Sequence, residues 1–315
     1  MALFEEIARN RRRSVLLGAG MTALLALVGA SIGGAAGAPE AGLAAGLLVA
    51  GIQGAVAFAA GDRIVLGISG AREIRHEDDP RLFNVVEEMA IAGGLPIPRV
   101  YLIEDTAPNA FATGRSPQRA ALAITTGLRD KLTRDELQGV MAHEMSHVRN
   151  HDVRFGTLMV VMVGTIALLC DAFRRNAWRW SRAGGRGRGR GAAPAAAVFL
   201  ILALLLSIVA PIVAKLIELA VSRQREYLAD SSGAALTRNP LGLATALEKI
   251  AADREVLEVA NRATMHLYIV NPIKPYEERA AYLFSTHPPI QDRIGRLRAL
   301  ARVPAAESAP STALR

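Results

Sequence analysis

Two charge-free apolar runs, residues 14–38 and 41–60, stand almost end to end at the start of this chain. Each matches the roughly 20 residues that a helix needs to cross a bilayer. The short Pro39-Glu40 link between them makes the pair a hairpin. A cleaved signal peptide would have a shorter apolar region and would not be followed at once by a second run, so both are expected to be anchors. The composition agrees. Hydrophobic residues make up 51% of the chain but aromatics only 5%, a bias that suits helices packed in lipid better than a large aromatic core.

Two further apolar stretches follow, at 155–170 and 194–214. The first is short for a span, and the second carries Pro211, expected to kink it, with Lys215 and Glu218 marking its exit. Between them lies an Arg/Gly-rich linker that cannot build a core. The net charge of +8 is unevenly placed, with Arg9, Arg11, Arg12 and Arg13 before the first run and another cluster from Arg174 to Arg190. The first cluster places the N-terminus in the cytoplasm and returns the chain there near Gly61. If the second hairpin spans fully, the arginine-rich linker lies outside, against the positive-inside rule; full insertion and a re-entrant hairpin both stand open. The linker has few aromatics and lies between apolar stretches, so lipid or solvent is expected around it and no nucleic acid. The single cysteine, Cys170, excludes an intrachain disulfide and a thiolate metal site.

The polar segments read as one split α+β domain. Asp79-Pro80 opens a helix over 82–92; strands are expected at 99–104, 110–113 and 120–125. Thr133 and Glu136 form a capping box that starts a helix running through Asp152. Helices near 222–237, 241–254 and 289–301 follow the second hairpin. The expected divisions are 1–61 for the first hairpin, 62–154 and 222–303 for the two parts of the catalytic domain, 155–221 for the second hairpin, and 304–315 for a flexible tail.

The capped helix carries His143-Glu144-Met145-Ser146-His147. Histidines four apart project from one helical face, so both imidazoles can bind one ion. Zinc accepts nitrogen and carboxylate ligands and keeps a position for water in catalytic sites. Glu144 can reach that water, take its proton as it attacks a carbonyl, and deliver it to the leaving amine. His151 is the nearest candidate third ligand, but three histidines along one straight helix do not converge. Glu226 is the better candidate, and Asp230, on its face four residues on, could fix the tautomer of a ligating histidine.

These motifs make the chain recognisable. Asn109-Ala-Phe-Ala-Thr-Gly114, Thr125-Thr-Gly127-Leu128, Asp135-Glu136-Leu137, the His143–His147 motif with Asn150 and Asp152, Arg225-Glu-Tyr-Leu-Ala-Asp230, and Ser285-Thr-His-Pro-Pro289 with Arg293 resemble the HtpX family of membrane metallopeptidases, relatives of the zinc proteases that process CAAX proteins. The resemblance implies a membrane-anchored zincin-like metalloprotease domain, mostly helical and interrupted by a hydrophobic helical hairpin. It implies a gluzincin-type site with one Zn2+ per chain, ligands His143, His147 and Glu226, and base Glu144. It also implies quality control of misfolded or membrane-associated proteins at the bacterial cytoplasmic (inner) membrane, with the site facing the cytoplasm. Expected partners are protein or peptide substrates and the lipid bilayer, with other membrane quality-control proteases as candidates. The Arg/Gly-rich loop and His151 depart from the pattern.

Three residues have weaker assignments. Asn109 precedes a strand that could hold a peptide by backbone pairing, or simply stabilises a turn. His287 could stabilise an oxyanion or cap the following helix. Arg293 is expected to pair with a buried carboxylate. Alternatives to a quality-control endopeptidase are a dedicated processing protease for lipidated or signal-type peptides and an inactive zinc-binding membrane scaffold.

Overall fold

A computed structural model describes residues 2–150, 152–183, 193–253, 255, 257, 268–270 and 288–302. His151, His287 and the linker from 184 to 192 lie outside these residues.

Four long helices form a bundle: α1 (Ala2–Ala35), α2 (Pro39–Ile68), α6 (Asp152–Ala183) and α7 (Ala193–Thr237). Glycines set the first pairing. Gly29 and Gly33 of α1 face Gly42 and Gly46 of α2 so closely that a Cβ on Gly42 would sit 2.2 Å from the Gly29 carbonyl oxygen. In lipid, where apolar side chains gain nothing by leaving the solvent, such backbone contact is a main source of helix association. Met21, Leu25 and Val28 of α1 then pack with Met162, Ile166 and Cys170 of α6 and Ala210 and Ala214 of α7. Among the described residues, Val15–Ala35, Pro39–Ile68 and Ala197–Ile217 are long and apolar enough to cross a membrane. Leu48, Ile201 and Ile212 point outward from them, as lipid-facing side chains should.

The fourth apolar run and the helix expected at 222–237 are one continuous helix of 45 residues, α7, about 67 Å long. Pro211 lies inside it. A proline has no N–H for the carbonyl four residues back, here Ser207. Arg174 of α6 replaces the missing donor, its Nη1 bonding the Ser207 carbonyl oxygen at 2.6 Å. Likewise α6 outruns the apolar run expected at 155–170, because its polar ends at Asp152 and beyond Cys170 continue the helix.

The split domain is built on a four-stranded sheet in the order β1-β2-β4-β3. Strands β2 (Arg99–Ile103), β3 (Ala110–Thr113) and β4 (Ala121–Thr125) fall where expected, with β2 and β4 parallel and β3 antiparallel to β4. Strand β1 (Arg72–Ile74) and the short helix α4 (Thr126–Lys131) were not expected: three residues show no alternation, and α4 follows directly on the strand end at Thr125, which caps it. Val100, Leu102, Leu122 and Ile124 cover one face of the sheet and pack on Leu82 and Val86 of α3 (Pro80–Gly93) and Leu137 and Met141 of α5 (Arg134–Arg149). On the opposite face Tyr101, Ile103 and Phe111 meet Val65 and Leu66, the end of membrane helix α2. The sheet is thus held between α5 and the bundle.

Helix α3 opens on Asp79, whose Oδ1 accepts from the Leu82 N–H at 2.9 Å. The capping box of α5 is present, with Glu136 Oε2 accepting from Thr133 N–H at 2.8 Å. This helix stops at Arg149, however, not beyond it; Asp152 opens α6 instead. Helix α8 (Pro240–Ala252) packs beneath α5, and α9 (Ile290–Arg302) packs in turn on α8 and α7, with Leu243, Leu247, Ile294 and Leu297 buried in the same core.

Candidate metal centre

Helix spacing places His143 and His147 on one face of α5, with Nε2 atoms 3.2 Å apart and rings nearly perpendicular at 88°. Glu226 reaches them from α7: its Oε2 is 3.7 Å from His143 Nε2, and its Oε1 is 3.4 Å from His147 Nε2. One ligand atom from each of the three residues lies within 4.8 Å of the others. Close approach of α7 to α5 makes this reach possible, because Gly233 abuts His143; a Cβ there would be 3.0 Å from the His143 backbone nitrogen.

Each histidine has its own carboxylate behind it. Asp230, one turn past Glu226, sets Oδ1 2.9 Å from His143 Nδ1. Asp152 sets Oδ2 3.2 Å from His147 Nδ1. Such partners fix the tautomer that leaves Nε2 for a metal. Each carboxylate also has its arginine. Arg293 Nε and Nη2 donate to Asp230 at 2.9 and 2.8 Å, and its Nη1 lies 3.2 Å from Glu226 Oε2. Arg225 Nε lies 3.3 Å from Asp152 Oδ1. The expected pairing of Arg293 with a buried carboxylate is therefore found twice over. Asp152 and Arg225 stood in the sequence only as parts of the family pattern; no periodicity marked either.

Glu144 faces the sheet edge, where the Ala112 N–H of β3 donates to its carboxyl. Burial, with Glu226 nearby, pushes this carboxyl up to about 8 in the absence of metal, although His147, Ala112 and Arg293 act the other way. For His147, burial lowers the pKa, but hydrogen bonds to Asp152 and Glu226 outweigh it and carry it up to about 10. Burial holds the His143 ring below its ordinary value.

The donor set fits a divalent ion. Metal bonds of about 2.0–2.2 Å at tetrahedral angles put ligand atoms about 3.4 Å apart, close to the spacings of these three residues. The charges agree. Glu144, Asp152, Glu226 and Asp230 are buried beside two buried guanidiniums, Arg225 and Arg293. With all four carboxylates ionised and both imidazoles neutral, the protonation that metal binding requires, the group carries two surplus negative charges, which one dication would neutralise.

Asn109 is buried and sits at the start of β3. Its Nδ2 donates to the Val270 carbonyl at 3.0 Å, and the Ala110 carbonyl accepts from the Ile269 N–H at 2.9 Å. Residues 268–270 thus lie against part of the free edge of β3, with Arg293 Nη1 donating to the Ile269 carbonyl at 2.8 Å. Sequence reasoning offered no hint of this pairing, since the segment lies more than 150 positions away.

Paired histidines and a glutamate on crossing helices, a glutamate beside them, an edge strand and a membrane helix bundle together define a membrane metallopeptidase. The family model described as Peptidase family M48 matches residues 76–301. The chain belongs to this family. It is similar to the protein named Protease HtpX homolog of Lactiplantibacillus plantarum, 43% identical over 301 residues, covering 94% of this chain and 99% of that one. A protein of the same name from Listeria monocytogenes is 43% identical over 304 residues, with the same coverage. Among solved structures, the crystal structure of S. mikatae Ste24p is similar at a TM-score of 0.46 and 19% identity, covering 80% of this chain and 56% of that one. A likeness that loose carries no argument about this site.

Proposed function

We propose that the protein is a zinc-dependent endopeptidase that cleaves misfolded or membrane-associated proteins at the cytoplasmic face of a bacterial inner membrane. The observation that carries this is the meeting of His143, His147 and Glu226 beside Glu144. One Zn2+ held by those three residues would supply a Lewis acid for the scissile carbonyl and lower the pKa of a bound water.

The chain's own groups do the rest. Asp230 and Asp152 hold the two imidazoles so that each presents Nε2. Glu144 takes the proton of the attacking water and returns it to the leaving amine. A carboxyl raised to about 8 is a poor base at neutral pH, but a nearby dication favours its ionised form. Burial around His143 and Glu144 keeps bulk water from competing for the proton.

The course of α7 supports a site close to the membrane. Glu226 comes nine residues after Ile217, the end of the apolar span, or about 14 Å further along the helix. Substrates held in or at the bilayer would arrive close to the site. The N-terminal arginines support a cytoplasmic face, and the packing of α6 into the apolar cluster of α1 and α7 supports a second hairpin that spans.

The test is cleavage of casein or a membrane-protein substrate by the purified full chain with zinc. Chelation should abolish cleavage and added zinc restore it. Cleavage that continues unchanged after the metal is stripped would remove the metal from the chemistry.

A further inference from the structure

The carboxylate behind His147 does not come from the helix that carries the histidine. Helix α5 ends at Arg149, the chain turns, and Asp152, the first residue of α6, returns to the site. It is 7% exposed, a burial that an ordinary first-turn acid of a helix does not need. Its Oδ2 lies 3.2 Å from His147 Nδ1 and its Oδ1 lies 3.3 Å from Arg225 Nε, while Arg225 Nη1 donates to the Asp152 backbone carbonyl at 3.2 Å. The guanidinium stands 4.3 Å over the ring of Phe155, three residues into α6. Arg225 thus grips the first turn of α6 at its side chain, its backbone and its aromatic ring, from the residue next to Glu226.

We propose that Asp152, clamped by Arg225, is a positioning residue for His147, and that through it the packing of α6 against α7 sets the affinity of the metal site. This rests on the reading of His143, His147 and Glu226 as the metal ligands. The two histidines then differ in kind. His143 is oriented from within the domain, by Asp230 and Arg293. His147 is oriented by the membrane hairpin, whose two helices supply the carboxylate and its clamp. A purely structural Asp152 would serve the helix N-terminus through its charge alone, wherever its oxygens lay. A positioning Asp152 needs its oxygen at Nδ1.

The experiment measures the zinc dissociation constant of the full chain in detergent by competition with a chelator of known affinity. Metal-free thermal midpoints are recorded alongside. Asp152→Asn should bind zinc about 10–100-fold more weakly, the usual loss when a histidine's carboxylate partner is removed. Asp152→Glu keeps the first-turn charge but moves the carboxyl by a methylene, and should also weaken binding. Arg225→Gln should weaken it by a smaller factor, and should add little in the Asp152→Asn background because it acts through that carboxylate. Wild-type affinity in Asp152→Asn, or full rescue by Asp152→Glu, would overturn the proposal while leaving the ligand assignment intact. Additive losses in the double variant would overturn the route through Arg225. A wild-type chain that binds no zinc would sink the ligand assignment itself.

Discussion

Asp230 Oδ1 lies 2.9 Å from His143 Nδ1 while the same carboxylate takes two hydrogen bonds from Arg293. The ring is thereby fixed with Nε2 towards His147 and Glu226. Asp230→Asn should keep the fold and lower zinc affinity about 10–100-fold. Glu226→Gln, which removes a proposed ligand, should lower zinc content further. Stoichiometric zinc in purified Glu226→Gln would take that residue out of the site.

Metal binding should release protons. In the metal-free protein at pH 7 the His147 ring is protonated, since its pKa is carried up to about 10, whereas His143 is neutral. A metal accepts only the neutral imidazole, so the His147 proton must leave, and a second follows if Glu144 ionises from about 8. The sign is fixed: protons compete with zinc, so affinity rises as pH rises, by about tenfold per unit for each proton released. Calorimetry at pH 7 in buffers of different ionisation enthalpy should find between about one and two protons released. None released would contradict the protonation of His147.

Arg174 and Pro211 should be energetically coupled. Arg174→Leu leaves the Ser207 carbonyl without its donor inside the bundle and should cost about 1–3 kcal/mol. Pro211→Ala restores the helix's own N–H at that carbonyl, so the same substitution should cost much less in that background. Thermal midpoints of the four variants in one detergent measure the cycle. Equal losses in both backgrounds would mean that Arg174 acts elsewhere.

Gly233 is where α7 lies against α5 at His143. Gly233→Val puts carbon where the His143 backbone already stands and should destabilise the fold by about 1–3 kcal/mol, with loss of zinc affinity as Glu226 is pushed back. Thermal midpoint and zinc titration together check it. An unchanged zinc affinity would show that the two helices can part without opening the site.

What could be read from sequence follows from range. His143 and His147 were legible as a pair because one helical period carries both. Glu226 and Asp230 share a face in the same way on a second helix, but the choice of Glu226 leaned more on the family pattern than on that spacing. The capping box at Thr133 and Glu136 is likewise local. Asp152 was legible only as part of a pattern, because its role depends on α5 stopping at Arg149, and no glycine or proline marks that stop. The contact of Arg174 with Ser207 joins two helices through a carbonyl that sequence does not display. The same holds for Ile269 on the edge of β3, a backbone pairing that any residue but proline could make. The length of α7 was hidden by the change from apolar to polar residues at Lys215 and Glu218, which marks the end of the apolar run but not of the helix.

The central claim is that Glu144 is the proton carrier of a metal-dependent peptide hydrolysis. It is tested by Glu144→Gln, purified full length and shown to hold one zinc, assayed for casein cleavage against the wild type. The variant should bind zinc as before and lose at least about 10²-fold in rate, the contribution of a positioned general base. Wild-type cleavage by zinc-loaded Glu144→Gln would contradict the account.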